Sequence, residues 1–514
     1  MENLVNPLWS WLLGSFSQFF YWTVALIFTC VALKGIQLFQ TRQKLIKGLR
    51  NFPGPPSHWL YGHVHMMKPE EEFLNVAAWT EKYPHCYPLW YGKFVALLVL
   101  NHPEYAKPVY TRGDPKAPVP YRFLIPWIGR GLLILNGPKW QQHRKLLTPG
   151  FHYNILKPYA ALMAESVNEM LDVWGKLVLN NPTASVEMYE HVSLMTLHTI
   201  MKCAFSYQKN AERDRENSFI STIFDLGVLF YQRMKTPLHH NDVIYRLSSK
   251  GRRFYKACKI VHHHTEKVIR ERKDSLKDEK ELEKILKKRH LDFLDILLCA
   301  KDENGNPLSD EDIRAEVDTF MTAGYDTTAS GISWLFYCMA QNPEHQQRCR
   351  EEIMELLGEQ KDIQWDDLGK MTYSTMCIKE SLRLYPPIPL IARELTSPVT
   401  FADGRTVPKG FRTALDVYGL HRNPEVWDNP EEFDPLRFST ENSKHRHPYA
   451  FLPFAAGPRN CIGQQFAMNE MKIALALTLL RFELSPDPAN VPIPFPQIII
   501  RSLNGIYLKL KALH

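Results

Sequence analysis

The hydrophobic pattern opens with a stretch that carries no charge at all, from Asn3 to Leu33. Its densest part, Phe19 to Leu33, is apolar or aromatic apart from Thr23 and Thr29. With its neutral flank it is long enough to cross a bilayer, which takes about 20 residues. Glu2 precedes it, whereas Lys34, Arg42, Lys44, Lys47 and Arg50 follow with no acid among them. The positive-inside rule then places the body of the chain in the cytosol. A cleaved secretory signal would need a basic n-region and a small-residue cleavage site, and neither is clear here. The prolines of Asn51-Phe52-Pro53-Gly54-Pro55-Pro56 cannot continue a helix and stiffen the exit.

Further on, Tyr87 to Leu100 is rich in strand formers around Gly92 and predicts a hairpin. From about Asn136 to Pro387 the spacing of apolar positions is mostly helical, with Pro and Gly at the joints. Another helix is expected from about Gln464 to Leu480, then Pro-rich loops and the short apolar run Ile498 to Ile500. Glu271 to His290 mixes both charge signs and reads as a solvated helix or loop. Consecutive residues point in different directions on a helix, so His262-His263-His264 reads as a surface run, not a metal site. The expected organisation is an anchor with a basic juxtamembrane segment (1–50), a proline-rich hinge (51–56) and one domain (57–514). That domain is mainly α with a minor β portion.

Composition sharpens this picture. The 514 residues are 45% hydrophobic, too apolar for a disordered chain. A mean hydropathy of -0.29 is too polar for a multi-spanning transporter. The net charge is +7. Residues 1–50 hold five bases and one acid, so +4 belongs to that segment and only +3 to the body. The basicity is largely a topology signal, and no nucleic-acid partner is expected. The nine cysteines are widely spaced, without CxxC or zinc-type spacing, which points to a reducing compartment.

One cysteine stands apart. Cys461 lies in Phe454-Ala455-Ala456-Gly457-Pro458-Arg459-Asn460-Cys461-Ile462-Gly463, directly before the helical segment at Gln464. Glycines permit a tight loop, and a helix N-terminus favours a negative sulfur. Arg459 adds positive charge, and Phe454 can shield the sulfur. The ordinary alternative is a buried cysteine beside a glycine turn. The full ten-residue arrangement, however, resembles the cysteine-ligand loop of the cytochrome P450 superfamily, Phe-x-x-Gly-x-Arg-x-Cys-x-Gly, at every fixed position.

Other stretches resemble the same superfamily. Glu380-Ser381-Leu382-Arg383, with Arg437 in Phe433-Asp434-Pro435-Leu436-Arg437-Phe438, is similar to its structural Glu-Arg-Arg triad. Ala323-Gly324-Tyr325-Asp326-Thr327-Thr328 resembles its oxygen-activating helix. There the small pair would leave room beside a flat cofactor. The Thr327 hydroxyl would bond back to the Ala323 carbonyl and locally open the helix, and Asp326 would join a proton path. Trp140-Gln141-Gln142-His143-Arg144 resembles the Trp-x-x-x-Arg helix whose donors suit haem propionates. By the same analogy Arg393 and Arg459 would contact propionates.

The resemblance implies a P450 fold with one N-terminal transmembrane helix in the endoplasmic reticulum membrane, its catalytic domain cytosolic. It implies haem b held by the Cys461 thiolate, with Phe454, Gly463 and Ala323 around it. Electrons would come from NADPH through a membrane-bound flavoprotein reductase, drawn to a basic face including Lys139, Lys145 and Arg446. The chain would insert one oxygen atom from O2 into a lipophilic substrate. His143 to His152, Gly419 to Pro424 and His447 to Phe451 resemble the family-4 type, whose best-known members hydroxylate fatty acids. Many of those carry a Glu where this chain has Ala323, and that Glu can form an ester to the haem; no ester is expected here. Epoxidation or mid-chain oxidation of unsaturated lipids or xenobiotics is the alternative. A haem sensor or carrier without turnover, or a haem-thiolate isomerase, is the competing class, and Asp326 and Thr327 speak against it. Tyr121 to Trp127, Phe320 to Ala323, Ile388 to Ile391 and Gln497 to Ile499 are the expected substrate-lining stretches.

Overall fold

The computed structural model describes residues 5–205, 213–278, 291–301, 305–358 and 363–513. The chain is mostly helical with small sheets, as the sequence predicts. Helix α1 (Val5–Leu49) runs unbroken through the uncharged stretch and past its basic flank. From Phe19 to Phe39 its large apolar side chains face outward; Trp22 is 76% exposed and Phe28 75% exposed. No protein covers them, so a lipid phase is the solvent they suit. At the other end of α1, Leu49 is buried with Phe52, Phe401 and Phe411. Gly48 is required there, because a Cβ would stand 2.2 Å from the Phe411 ring.

The predicted hairpin forms from β1 (Cys86–Trp90) and β2 (Ala96–Leu100). They extend into a four-stranded sheet with β3 (Leu390–Glu394) and β4 (Arg412–Asp416), in the order β1-β2-β4-β3. Side chains alternate across a sheet. Leu98 and Leu100 accordingly enter one core cluster, Leu97 and Val99 another. Both faces are buried, which is why β2 reads as an unbroken apolar run.

The helical part packs around one long element. Numbering the helices that follow α1 by those that matter to the site, α2 is Glu72–Lys82, α3 Gly137–Leu147, α4 Met188–Phe205, α5 Arg213–Lys235, α6 Ser249–Ser275, α7 Asp310–Gln341, α8 Thr372–Leu384 and α9 Gln464–Arg481. The α7 N-terminus is capped by Ser309, whose hydroxyl accepts from the Asp312 amide, and carries three acids in its first turn. Both features suit a helix start. From Ile313 onward α7 is buried on nearly all sides, packing most extensively on α4.

One reading changes, and another lies largely outside the described residues. Only the start of the charged segment, to Asp278, lies within the described residues, and Glu271 to Ser275 end α6. The histidine run lies on α6, but His262 is half-buried. Its Nε2 lies 2.7 Å from the Trp127 carbonyl and 3.7 Å from Asp318. The helix turns His262 and His264 partly inward, His264 against the Phe219 ring at 4.6 Å, a packing role that the run of identical residues conceals.

Candidate active site

The cysteine loop and α7 open onto one internal cavity of about 470 Å³. Cys461 lines it, while the buried cysteines Cys86, Cys203, Cys258, Cys338, Cys349 and Cys377 pack in the cores. The loop is held by the Cys461 amide, which donates to the Phe454 carbonyl at 2.9 Å. Ala455 has φ +59° and Gly457 +69°. A Cβ at 457 would lie 2.0 Å from the Tyr110 carbonyl, so only glycine fits. Gly463 differs from the expectation of close backbone approach. Its φ is -89°, and a Cβ there would meet only Phe151 at 3.9 Å and the Cys461 sulfur at 4.0 Å. What glycine leaves clear at 463 is the cavity wall beside the sulfur.

Burial pushes the Cys461 thiol up, and the Gly463 amide, Arg144 and Lys116 oppose that shift. A bound metal ion overrides burial and takes the thiolate outright. The positive charge beside the sulfur thus comes from Arg144 and Lys116. Arg459 instead donates to the Leu135 carbonyl and to Asn136 Oδ1, and stacks on Trp140 at 4.7 Å. Arg144 ties α3 to the loop through the Asn460 carbonyl (2.9 Å) and Asn460 Oδ1 (3.0 Å).

Sequence reasoning missed Lys116. It sits in a proline-rich loop without a motif, and its ammonium faces the Tyr121 ring at 5.0 Å. Burial, then Arg393 and Arg459, drive its pKa well down. Burial and Arg393 likewise lower Arg459 to about 10. Among the described residues no carboxylate pairs with Lys116, Arg144, Arg393 or Arg459. Arg393 is buried beside Tyr110 and does not line the cavity, unlike Trp140, Arg144, Arg459 and Lys116. A wall of uncompensated cations, a sulfur facing inward and a glycine-cleared surface beside it fit an anionic, flat, metal-bearing group such as haem.

On α7, Ala323, Asp326 and Thr327 all line the cavity. Ala323 is exposed amid buried neighbours, because its methyl faces this space. Gly324 lines the cavity as well and also meets a neighbouring helix. A Cβ there would lie 2.9 Å from Ile200 of α4, so its smallness serves helix packing. The Thr327 hydroxyl does bond to the Ala323 carbonyl, at 2.8 Å, but α7 runs unbroken through the site. Asp326 is anchored: its Oδ1 accepts from Arg501 at 2.6 Å and from the Tyr189 hydroxyl. Burial keeps the Tyr189 phenol well above its ordinary value. Arg501 arrives from the last strands, 175 residues later, and no local pattern could announce it.

The triad residues meet. Glu380 takes both Arg383 nitrogens, at 2.7 and 2.8 Å, and Arg437 approaches at 3.4 Å. Arg383 also donates to the carbonyls of His421, Pro430 and Glu432. Of the proposed basic face, Lys139 is already paired with Asp312 at 2.6 Å. Arg446 lies over Trp427 and donates to the Arg437 carbonyl. Lys145 is exposed. The substrate-lining stretches do reach the cavity, through Tyr121, Leu124, Trp127, Phe320, Ile388 to Ile391 and Gln497 to Ile499.

Comparison with known proteins fits this geometry. A family model described as Cytochrome P450 matches residues 52–509. Cytochrome P450 4B1 of Rattus norvegicus is 55% identical over 97% of both chains. Cytochrome P450 4A11 of Homo sapiens is 54% identical over 99% of this chain and 98% of its own. A taurochenodeoxycholic 6 alpha-hydroxylase of Sus scrofa is 56% identical over 94% of this chain and 95% of its own. The crystal structure of the cytochrome P450DA heme domain superposes with a TM-score of 0.78 at 25% identity, covering 90% of this chain and 98% of that one. The chain belongs to the cytochrome P450 family, and is a monooxygenase acting on lipophilic substrates.

Proposed function

We propose that the chain hydroxylates fatty-acid-type lipids, anchored once in the endoplasmic reticulum membrane with its catalytic body in the cytosol. NADPH would supply electrons through a flavoprotein reductase, with exposed Lys145 as one contact for an acidic partner. The observation that carries the reading is the apolar cavity shared by Cys461 and the Ala323–Thr327 segment.

Haem b, held by the Cys461 thiolate, supplies the oxygen-activating chemistry. Trp140, Arg144, Lys116 and Arg459 hold its carboxylates. Arg393 sits behind them and adds to the positive field. Phe454 and the apolar walls exclude stray water. Thr327 holds a proton at its hydroxyl oxygen, poised on the Ala323 carbonyl. Asp326, fixed by Arg501 and Tyr189, orients the polar end of that proton route. Glu380, Arg383 and Arg437 hold the segment from His421 to Asp434. Because position 323 is alanine, no ester ties the haem to the chain.

The deciding assay reconstitutes the protein with reductase and NADPH and reads products of a lipid panel by mass spectrometry. Terminal or near-terminal hydroxylation is expected; no oxygenated lipid with any substrate would sink the reading. Acid-organic extraction should release the haem, and retention on the polypeptide would contradict the role of Ala323. A second reading, mid-chain oxidation or epoxidation, is favoured by that same alanine, since an untethered haem constrains substrate pose less. Products from an unsaturated chain separate the two.

A further inference from the structure

The charged residues on the cavity wall fall into three groups. Lys116, Arg144 and Arg459 stand at the Cys461 end, where the carboxylates of a bound haem would neutralise them. Asp326 and Arg501 neutralise each other at 2.6 Å. The rest lie with α2, the C-terminal end of α5 and the end of β4: Glu72, Lys235 and Asp416.

This last group looks at first like a landing place for a lipid carboxylate, since Lys235 is a buried cation at the wall. Its charge is already used. The Lys235 ammonium lies 2.7 Å from Glu72 Oε1, and both side chains are about seven-eighths buried. The other carboxylate oxygen of Glu72 accepts from the Tyr231 hydroxyl at 2.7 Å. Tyr231 and Tyr91 flank the ammonium at 5.0 and 5.9 Å. Asp416 adds a further acid. Its Oδ1 accepts from the Gly419 amide, and the Tyr87 hydroxyl also faces the carboxyl group. Burial raises Asp416 to about 7, so it is neutral or negative under working conditions, never positive. A second carboxylate brought to Lys235 would meet an ammonium that Glu72 already neutralises, in an apolar enclosure. Such an arrangement leaves an unpaired buried charge, the costliest outcome for a desolvated ion.

We propose that Glu72 acts as an internal counter-ion to Lys235, so that the cavity selects lipids with an uncharged head (alcohol, ester or amide) over the free carboxylate. This rests on the reading of the chain as a lipid monooxygenase, and Glu72 is then a specificity-determining residue. The Tyr231 hydroxyl donates to Glu72, and its oxygen can still accept from an alcohol or amide head.

The test compares dodecanoate, methyl dodecanoate and 1-dodecanol on the reconstituted holoenzyme, by substrate-induced spectral shift and by KM. The wild-type protein should favour the ester and alcohol over the acid by about tenfold or more. Glu72→Gln leaves the Lys235 amine without its carboxylate, so an incoming lipid carboxylate can take that place, and the acid-to-ester KM ratio should fall by about tenfold. The paired variant Glu72→Leu/Lys235→Met removes both charges and should keep the wild-type preference for neutral heads. Equal use of acid and ester by the wild type, or a ratio untouched by Glu72→Gln, overturns the inference but leaves lipid oxidation standing. No turnover of any of the three removes the lipid reading and this inference together.

Discussion

Two of the clusters that bury arginine in this molecule are built on opposite terms. Around Arg383, each donor finds an acceptor: Glu380, then the carbonyls of His421, Pro430 and Glu432. Around Lys116, the neighbours of a buried cation are other cations, Arg393 and Arg459. The first cluster is complete within the chain, so it serves stability. The second is unfavourable within the chain, so its purpose is an external anion. A protein does not keep three or four like charges together in low dielectric unless something neutralises them.

The sharpest break comes at the sulfur between these clusters. Cys461→Ser should abolish turnover and the thiolate signature of the ferrous carbonyl spectrum. The fold should change by less than about 1 kcal/mol, because the side chain faces the cavity and supports no core contact. A large loss of thermal stability would show that Cys461 holds structure instead.

Next in size, Glu380→Ala should cost about 3–5 kcal/mol, since it strands Arg383 without a counter-charge. With total stabilities of about 5–15 kcal/mol, much of the folded protein should be lost. Denaturant titration measures it, and a cost below about 1 kcal/mol would erase the contrast.

Lys116→Met should act with opposite signs on the two states. The haem-free protein should gain about 1 kcal/mol, as an uncompensated ion gives way to an apolar side chain. The loaded protein should lose haem faster to a scavenger such as apomyoglobin. A mutant that weakens both states alike would place Lys116 with Arg383, as a structural cation.

A pH-dependent effect concerns a buried acid that belongs to neither cluster. Glu470 on α9 is fully buried near Thr199 and Cys203, and burial raises it to about 8. Its folded value thus exceeds its ordinary 4.5. The native state then holds the proton more tightly than the unfolded chain. Its stabilisation is complete below pH 4.5 and fades as pH rises through about 8, by at most about 1.4 kcal/mol per pH unit. Glu470→Gln should flatten that slope in thermal melts between pH 5 and 8. An unchanged slope would mean the acid is ionised throughout.

The two clusters were unequally legible. Glu380 and Arg383 lie three residues apart on one helix, and Arg437 carries its own motif, so sequence could assemble them. The cysteine loop was legible because its glycine and cysteine stand at fixed spacings. Lys116 was not, because only the fold brings a proline-rich loop beside Arg393 and Arg459. Arg501 and Tyr189 were hidden for the same reason: their meeting with Asp326 depends on tertiary closure, not on spacing. Gly324 was legible as a small residue at the cavity, but its contact with Ile200 was not, since Ile200 comes from another helix. Lys139 and Arg446 read as free surface charge, though the fold uses both within the chain.

The continuity of α1 has a mechanical consequence. From Leu33 to Leu49 the helix advances about 24 Å at the usual 1.5 Å per residue. It then meets the body at Gly48 against Phe411, without a slack joint. For a chain tethered by its apolar half, this is a strut rather than a leash. It fixes both the standoff of the body above the bilayer and its rotation about the helix axis. The attitude of the cavity toward the lipid surface is then set by geometry, and a few residues inserted near Leu45 would turn the whole body by 100° each.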